Sequence, residues 1–179
     1  MEGSGELVQW GDSSVRVVTS LTLVFATLVV LPAAAPAAAA GKSRLDRVER
    51  SIIRVMNHRR AEHGLAALRA DARLSRAADF HTWEMLDANY FAHASRGGGS
   101  FDRRVRRFAR RRALGETLAW TSSCHRRSAR RFVRMWMNSP GHRAILLSSQ
   151  YRRVGVGKRT GSLGATRACV VTADFSSRR

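Results

Sequence analysis

The last part of the chain, from Tyr151 to Phe175, reads as β, whereas the spacing before it is mostly helical. "YRRVGVGKR" places apolar side chains at Val154 and Val156. "TRACVVTADF" is rich in β-branched residues, and "TGSLGA" between them supplies turn residues. This pattern predicts an antiparallel hairpin. Upstream, the spacing is helical. Leu45, Val48, Ile52, Val55 and Met56 predict a helix over 44–63, stopped by Gly64. Leu65 and Leu68 in the connector face inward. Asp71 can cap a second helix through about Ala88, with Leu74, Ala77, Ala78, His81 and Met85 on one face. "FDRRVRRFARRR" reads as a short basic helix and "ALGETLAW" as a strand or turn. A third helix spans Ser128 to Asn138, burying Phe132, Val133, Trp136 and Met137. A short one follows, with Ser139 as N-cap, Pro140 in the first position, and Ile145 and Leu146 inward. Helices mostly first and strands mostly last make an α+β chain, with helices covering an antiparallel sheet.

The 179 residues suffice for one domain with a real core. That domain is placed at 41–179. Residues 1–40 read as a signal peptide or N-terminal membrane anchor followed by an Ala/Pro linker. Val17 to Leu31 is an apolar run of signal-peptide length, and Ala38, Ala39 and Ala40 offer a cleavage site. Both readings put the domain outside the cytoplasm, extracellular or at the cell surface. The two cysteines, Cys124 and Cys169, then predict one disulfide. They are too few for a structural zinc site.

The formal net charge is +19, and nearly all of the cationic residues are arginine. Seven crowd one stretch: Arg103, Arg104, Arg106, Arg107, Arg110, Arg111 and Arg112. Five more are Arg126, Arg127, Arg130, Arg131 and Arg134. Such a surface is suited to anionic cell-envelope polymers or lipid head groups. A genome rich in GC would produce the same arginine bias. No nucleic-acid-binding motif accompanies the charge, so nucleic acid is not the expected physiological partner.

The chain has no G-x-S-x-G elbow, P-loop, H-E-x-x-H or EF-hand loop. His58 and His63 fit no helical zinc motif and read as surface residues. His81, on an apolar stripe, reads as a satisfied core histidine. His93, Glu116 and His142 remain. Two imidazoles and a carboxylate can form a three-ligand zinc site, or serve as proton donors and acceptors without metal. His142, in a helix first turn, meets a dipole that disfavours imidazolium.

From Val48 to Phe175 the chain resembles the CAP superfamily (cysteine-rich secretory proteins, antigen 5 and pathogenesis-related 1 proteins), and in particular its bacterial SCP-like extracellular branch. "MNHRRAEHGLAAL" resembles the opening helix, and "LSRAADFHTWEMLDANYFAH" the second helix with the first tetrad histidine. "FDRR" resembles a phenylalanine-arginine element, "LGETLAW" the G-E-N-L/I segment, and "WMNSPGHRAIL" the W-M-x-S-P-G-H-R-x-x-L block. "YRRVGVG" and "VVTADF" resemble the closing strands. The resemblance implies a three-layer α-β-α sandwich with a central antiparallel sheet. It also implies a cleft where two histidines and two glutamates meet. His93, Glu116 and His142 match three of these four. No acidic residue lies between Glu116 and His142, so the second glutamate is missing, and Thr117 stands where the asparagine is usual.

These features lead to an expected function: a secreted or cell-surface CAP-domain protein with an incomplete His/Glu tetrad. Its cleft binds a ligand, or zinc or another divalent cation through His93 and His142, rather than catalysing. One alternative is a zinc-dependent hydrolase using His93, Glu116 and His142. Another is a polyanion-binding envelope protein acting through its arginines.

Overall fold

The structure is a computed structural model and describes residues 44–177. The expected signal or anchor over 1–40 lies outside the described residues. Within them, no helix is long and apolar enough to cross a membrane.

The chain runs α1 (Arg47–Glu62), β1 (Arg69–Ala70), α2 (Ala72–Asp87), α3 (Phe101–Phe108), β2 (Leu114–Thr121), α4 (Ser128–Asn138), α5 (Pro140–Leu146), β3 (Arg153–Leu163) and β4 (Thr166–Ser176). The sheet order is β1-β3-β4-β2. β2–β4 and β3–β4 are antiparallel, but β1 pairs with β3 in parallel. The expected antiparallel sheet is therefore mixed, through two residues too few to leave a periodic signal. The basic helix is also shorter than "FDRRVRRFARRR": Ala109 turns extended and ends it.

The helices form where local signals agree. Asp46 caps α1 in a reciprocal capping box with Glu49. Asp71 caps α2 through the N–H groups of Arg73 and Leu74. Asn57 grips the backbone of Leu68 in both directions. The buried Arg60 donates to the carbonyls of Ala66, Leu146, Ser148 and Tyr151, tying the end of α1 to the end of α5.

Alternation divides the sheet faces. Val154, Val156, Cys169, Val171, Ala173 and Phe175 face α1 and α4 in the main core, with Ile52, Met56, Phe132 and Trp136. On the other face, α2 lies so close to β3 that a Cβ on Gly155 would sit 2.1 Å from the backbone of Leu74, and one on Gly157 2.2 Å from that of Asp79. Glycine is required there by close approach. Leu74 and Ala77 of α2 pack with Val105 of α3, and Met85 with Leu118, Ala168 and Val170. The result is the expected helix–sheet–helix layering. A disulfide joins Cys124, between β2 and α4, to Cys169 of β4.

Candidate functional site

The site lies along β2, an edge strand of the sheet. Glu116 sits in the strand with its side chain turned into the protein, 2 % exposed. Gly115 just before it lets α5 come close. A Cβ there would meet the Tyr151 hydroxyl at 2.8 Å and Ile145 Cγ2 at 3.0 Å. Tyr151 in turn donates to the Leu114 carbonyl at 2.9 Å. That packing brings α5, and so His142, to the strand. Ser139 precedes α5 as expected, but its hydroxyl makes no capping hydrogen bond; Pro140 alone starts the helix.

His93 arrives on the loop after α2. Its Nδ1–H donates to Glu116 Oε1 at 2.8 Å. Its Nε2 lies 3.4 Å from His142 Nε2. The three residues singled out by the sequence therefore converge, but not as three ligands around one point. Glu116 holds His93 from behind, and its other oxygen is taken by Arg104. Among the described residues, no group of three or more His, Cys, Asp or Glu side chains is arranged to hold a metal ion. The expected three-ligand set is not formed, because the carboxylate is spent on the guanidinium and on His93.

Both histidines titrate below the ordinary imidazole value. For His142 the larger cause is burial, then the neighbouring His93. For His93 it is burial, then Arg104, with Asp174 opposing. Burial and a second ring thus account for the neutral His142, where the sequence pointed to the helix dipole. With Nδ1–H committed to Glu116, neutral His93 presents a bare Nε2 towards His142.

Two residues escaped the sequence reading. Its place in the arginine run suggests a surface residue at Arg104, yet α3 buries it to 2 % exposure. Besides Glu116, it donates to the His93 carbonyl at 3.1 Å and to Ser95 Oγ at 2.9 Å. It clamps the histidine loop onto β2. The "FDRR" element was the available signal. Arg111 also leaves the expected polyanion surface, being mostly buried against Asp71 at 2.7 Å. Arg103, Arg106, Arg107, Arg110 and Arg112 remain exposed.

The other is Asp174. It is fully buried on β4, directly opposite Glu116, so both carboxyls lie on one face. Its carboxyl lies close enough to that of Glu116 for the two to interact directly. Burial first, and the Glu116 charge second, hold its pKa well above the usual carboxylate range. Burial also raises Glu116, against the pull of Arg104. The guanidinium favours the charge on Glu116, so the proton rests on Asp174. A lone acid in the apolar run "CVVTADF" was the trace in the sequence, but its meaning needed the register. His81 is fully buried, with Nδ1 3.0 Å from Glu84 and Nε2 2.9 Å from the Ala92 carbonyl, as suits a satisfied core histidine.

The sequence model of the cysteine-rich secretory protein (CAP) family matches residues 53–175. The chain belongs to the CAP family. It is 36% identical over 110 residues to the uncharacterized membrane protein YlbC of Bacillus subtilis, covering 61% of this chain and 31% of that protein. It is 32% identical over 116 residues to YkwD of the same organism, covering 64% of this chain and 44% of that protein. The CAP chain thus spans less than half the length of these relatives. An extracellular protein of Bacillus anthracis containing an SCP domain superposes with a TM-score of 0.60 at 28% identity, over 73% of this chain and 40% of that one. An outer surface protein of Borrelia burgdorferi superposes with a TM-score of 0.60 at 18% identity, over 78% of this chain and 99% of that one, and shares the fold.

Proposed function

We propose that this chain is an exported CAP-domain protein whose cleft binds a divalent cation, or a small ligand seeking imidazole, through His93 and His142, and that it binds rather than catalyses. One observation carries the reading: the two Nε2 atoms face each other at 3.4 Å. Two nitrogens each about 2.0–2.1 Å from a tetrahedral zinc would stand roughly 3.3 Å apart, so the pair fits such an ion. Imidazole nitrogen suits zinc, copper or nickel better than calcium or magnesium. The cation would act as a Lewis acid towards whatever ligand joined it. Glu116 then orients His93 and keeps its Nδ1 protonated, a support that metal-binding histidines commonly have.

The hydrolase alternative needs a carboxylate free to take a proton. Glu116 is buried with both oxygens engaged, which favours a binder. Export is supported by the disulfide, by the apolar run before the domain, and by relatives described as extracellular or outer-surface proteins.

The test is a calorimetric zinc titration of the full-length chain beside a His93→Ala/His142→Ala variant. Saturable binding of one zinc per chain, lost in the variant without loss of fold, is the expected result. Equal binding by both proteins, or none by either, would overturn the reading.

A further inference from the structure

A second arginine surface appears only on folding. α1 and α4 pack side by side, and their outer faces enclose two adjoining hollows of about 550 and 450 Å³. Arg54, Val55 and Arg130 line both. Arg59, His58 and Arg134 complete one; Arg126, Arg127 and Ser51 complete the other. Six guanidinium groups, four on the two helices and those of Arg126 and Arg127 just before α4, thus border one groove. Among the described residues, Glu62 is the acid that reaches any of them. It is held by Arg59 at 2.9 Å and by His58 at 3.4 Å. Arg54, Arg126, Arg127, Arg130 and Arg134 have no acidic partner among the described residues.

We infer that this groove binds a linear polymer of phosphodiester-linked polyols, a base-free polyanion. Arginine on both walls matches phosphate, which a guanidinium can meet with two parallel hydrogen bonds. A concave track between helices suits a chain more than a flat bilayer. Binding to a bilayer also calls for apolar side chains beside the charge. Phe91, Trp120 and Met135, the exposed large apolar residues, do not line the groove. No Phe, Tyr or Trp lines it either, and His58 at one end is a single ring, so it lacks the row of stacking platforms by which single-stranded nucleic acids are held. Charge is what the groove reads, and a polyol-phosphate chain presents little else. The inference is independent of the histidine cleft.

The experiment titrates the full-length protein with labelled synthetic poly(glycerol phosphate) between about 50 and 200 mM salt. It compares Arg126→Gln/Arg130→Gln/Arg134→Gln with Arg103→Gln/Arg106→Gln/Arg107→Gln, which removes the same charge from exposed residues of α3. All six arginines are exposed, so both variants should melt with the native protein. The groove variant should bind about tenfold or more weakly, with a log K against log salt slope shallower by about 2; the α3 variant should lose less than about threefold. Equal losses in the two variants would overturn the inference in favour of diffuse charge, and so would an absence of binding by the native protein. Single-stranded DNA or phosphatidylglycerol vesicles bound more tightly than the polymer would overturn the choice of partner.

Discussion

Replacing Arg104 by methionine tests how the cleft is held together. The guanidinium is buried against Glu116 and also donates to the His93 carbonyl and Ser95 Oγ. Methionine keeps the length of the stem and removes the charge, leaving Glu116 buried with only the His93 N–H. Breaking a buried ion pair from one side costs about 3–5 kcal/mol. The other two acceptors belong to His93, which is exposed, and Ser95, which is half-buried, so water can replace much of what they lose. A total of about 4 kcal/mol is therefore expected. With roughly 130 folded residues and about 2.1 cal/mol/K of unfolding entropy each, that lowers the Tm by about 15 °C. Glu116→Gln should cost less. Asp174 lies opposite and can give up its proton to become the counter-ion of Arg104. The assay is urea unfolding followed by tryptophan fluorescence, with Arg104→Met/Glu116→Leu completing the cycle. The double variant should be less destabilised than the sum of its singles, because it strands neither charge. A loss below about 1 kcal/mol for Arg104→Met, or additive singles, would show that the pair is not the buried clamp described.

Gly157→Ala should lower stability by about 3 kcal/mol or more, since its Cβ would meet the Asp79 amide at 2.2 Å and push α2 off the sheet. A urea midpoint close to that of the native protein would mean that α2 lies farther out. Asp174→Asn reports where the buried proton sits. A carboxyl whose pKa is raised on folding contributes fully below its unfolded value of about 3.9 and loses that contribution as pH rises through the folded value. Asparagine stays neutral, so the Tm of the variant minus that of the native protein should climb as pH rises above about 4. A flat difference would place the proton elsewhere.

Most of the elements were legible because they are amphipathic and punctuated. α2 begins after Asp71, as its cap predicts, and α4 buries Phe132, Val133 and Trp136 of its apolar stripe while Met137 stays partly exposed. β3 was harder. Its pairing with β4 runs on to Leu163 opposite Thr166, so the turn is only Gly164 and Ala165, with Gly164 at φ 58°. The residues Gly161 and Ser162 look like turn in the sequence but stay in the ladder, because backbone pairing does not ask what the side chain is. The site residues divide in the same way. His93, Glu116 and His142 stood out as motif residues, though nothing in their spacing showed how they meet. Arg104 depended on which face of α3 turns inward, and Asp174 on a strand register; neither can be read from composition.

The missing second glutamate looks different once Arg104 and Asp174 are in place. A carboxylate in this cleft is already neutralised by a guanidinium, and the acid beside it keeps its proton. The charges close on themselves: one cation, one anion, a neutral acid and two neutral rings. Another ionised acid buried beside them would need a cation of its own to offset its desolvation. What this arrangement leaves facing outward is a pair of imidazole nitrogens fixed from behind by Glu116. A bare imidazole nitrogen held this way can take a proton or an electron-pair acceptor, and two of them facing each other at 3.4 Å are placed to share one acceptor between them, which is the geometry the proposed binding role rests on.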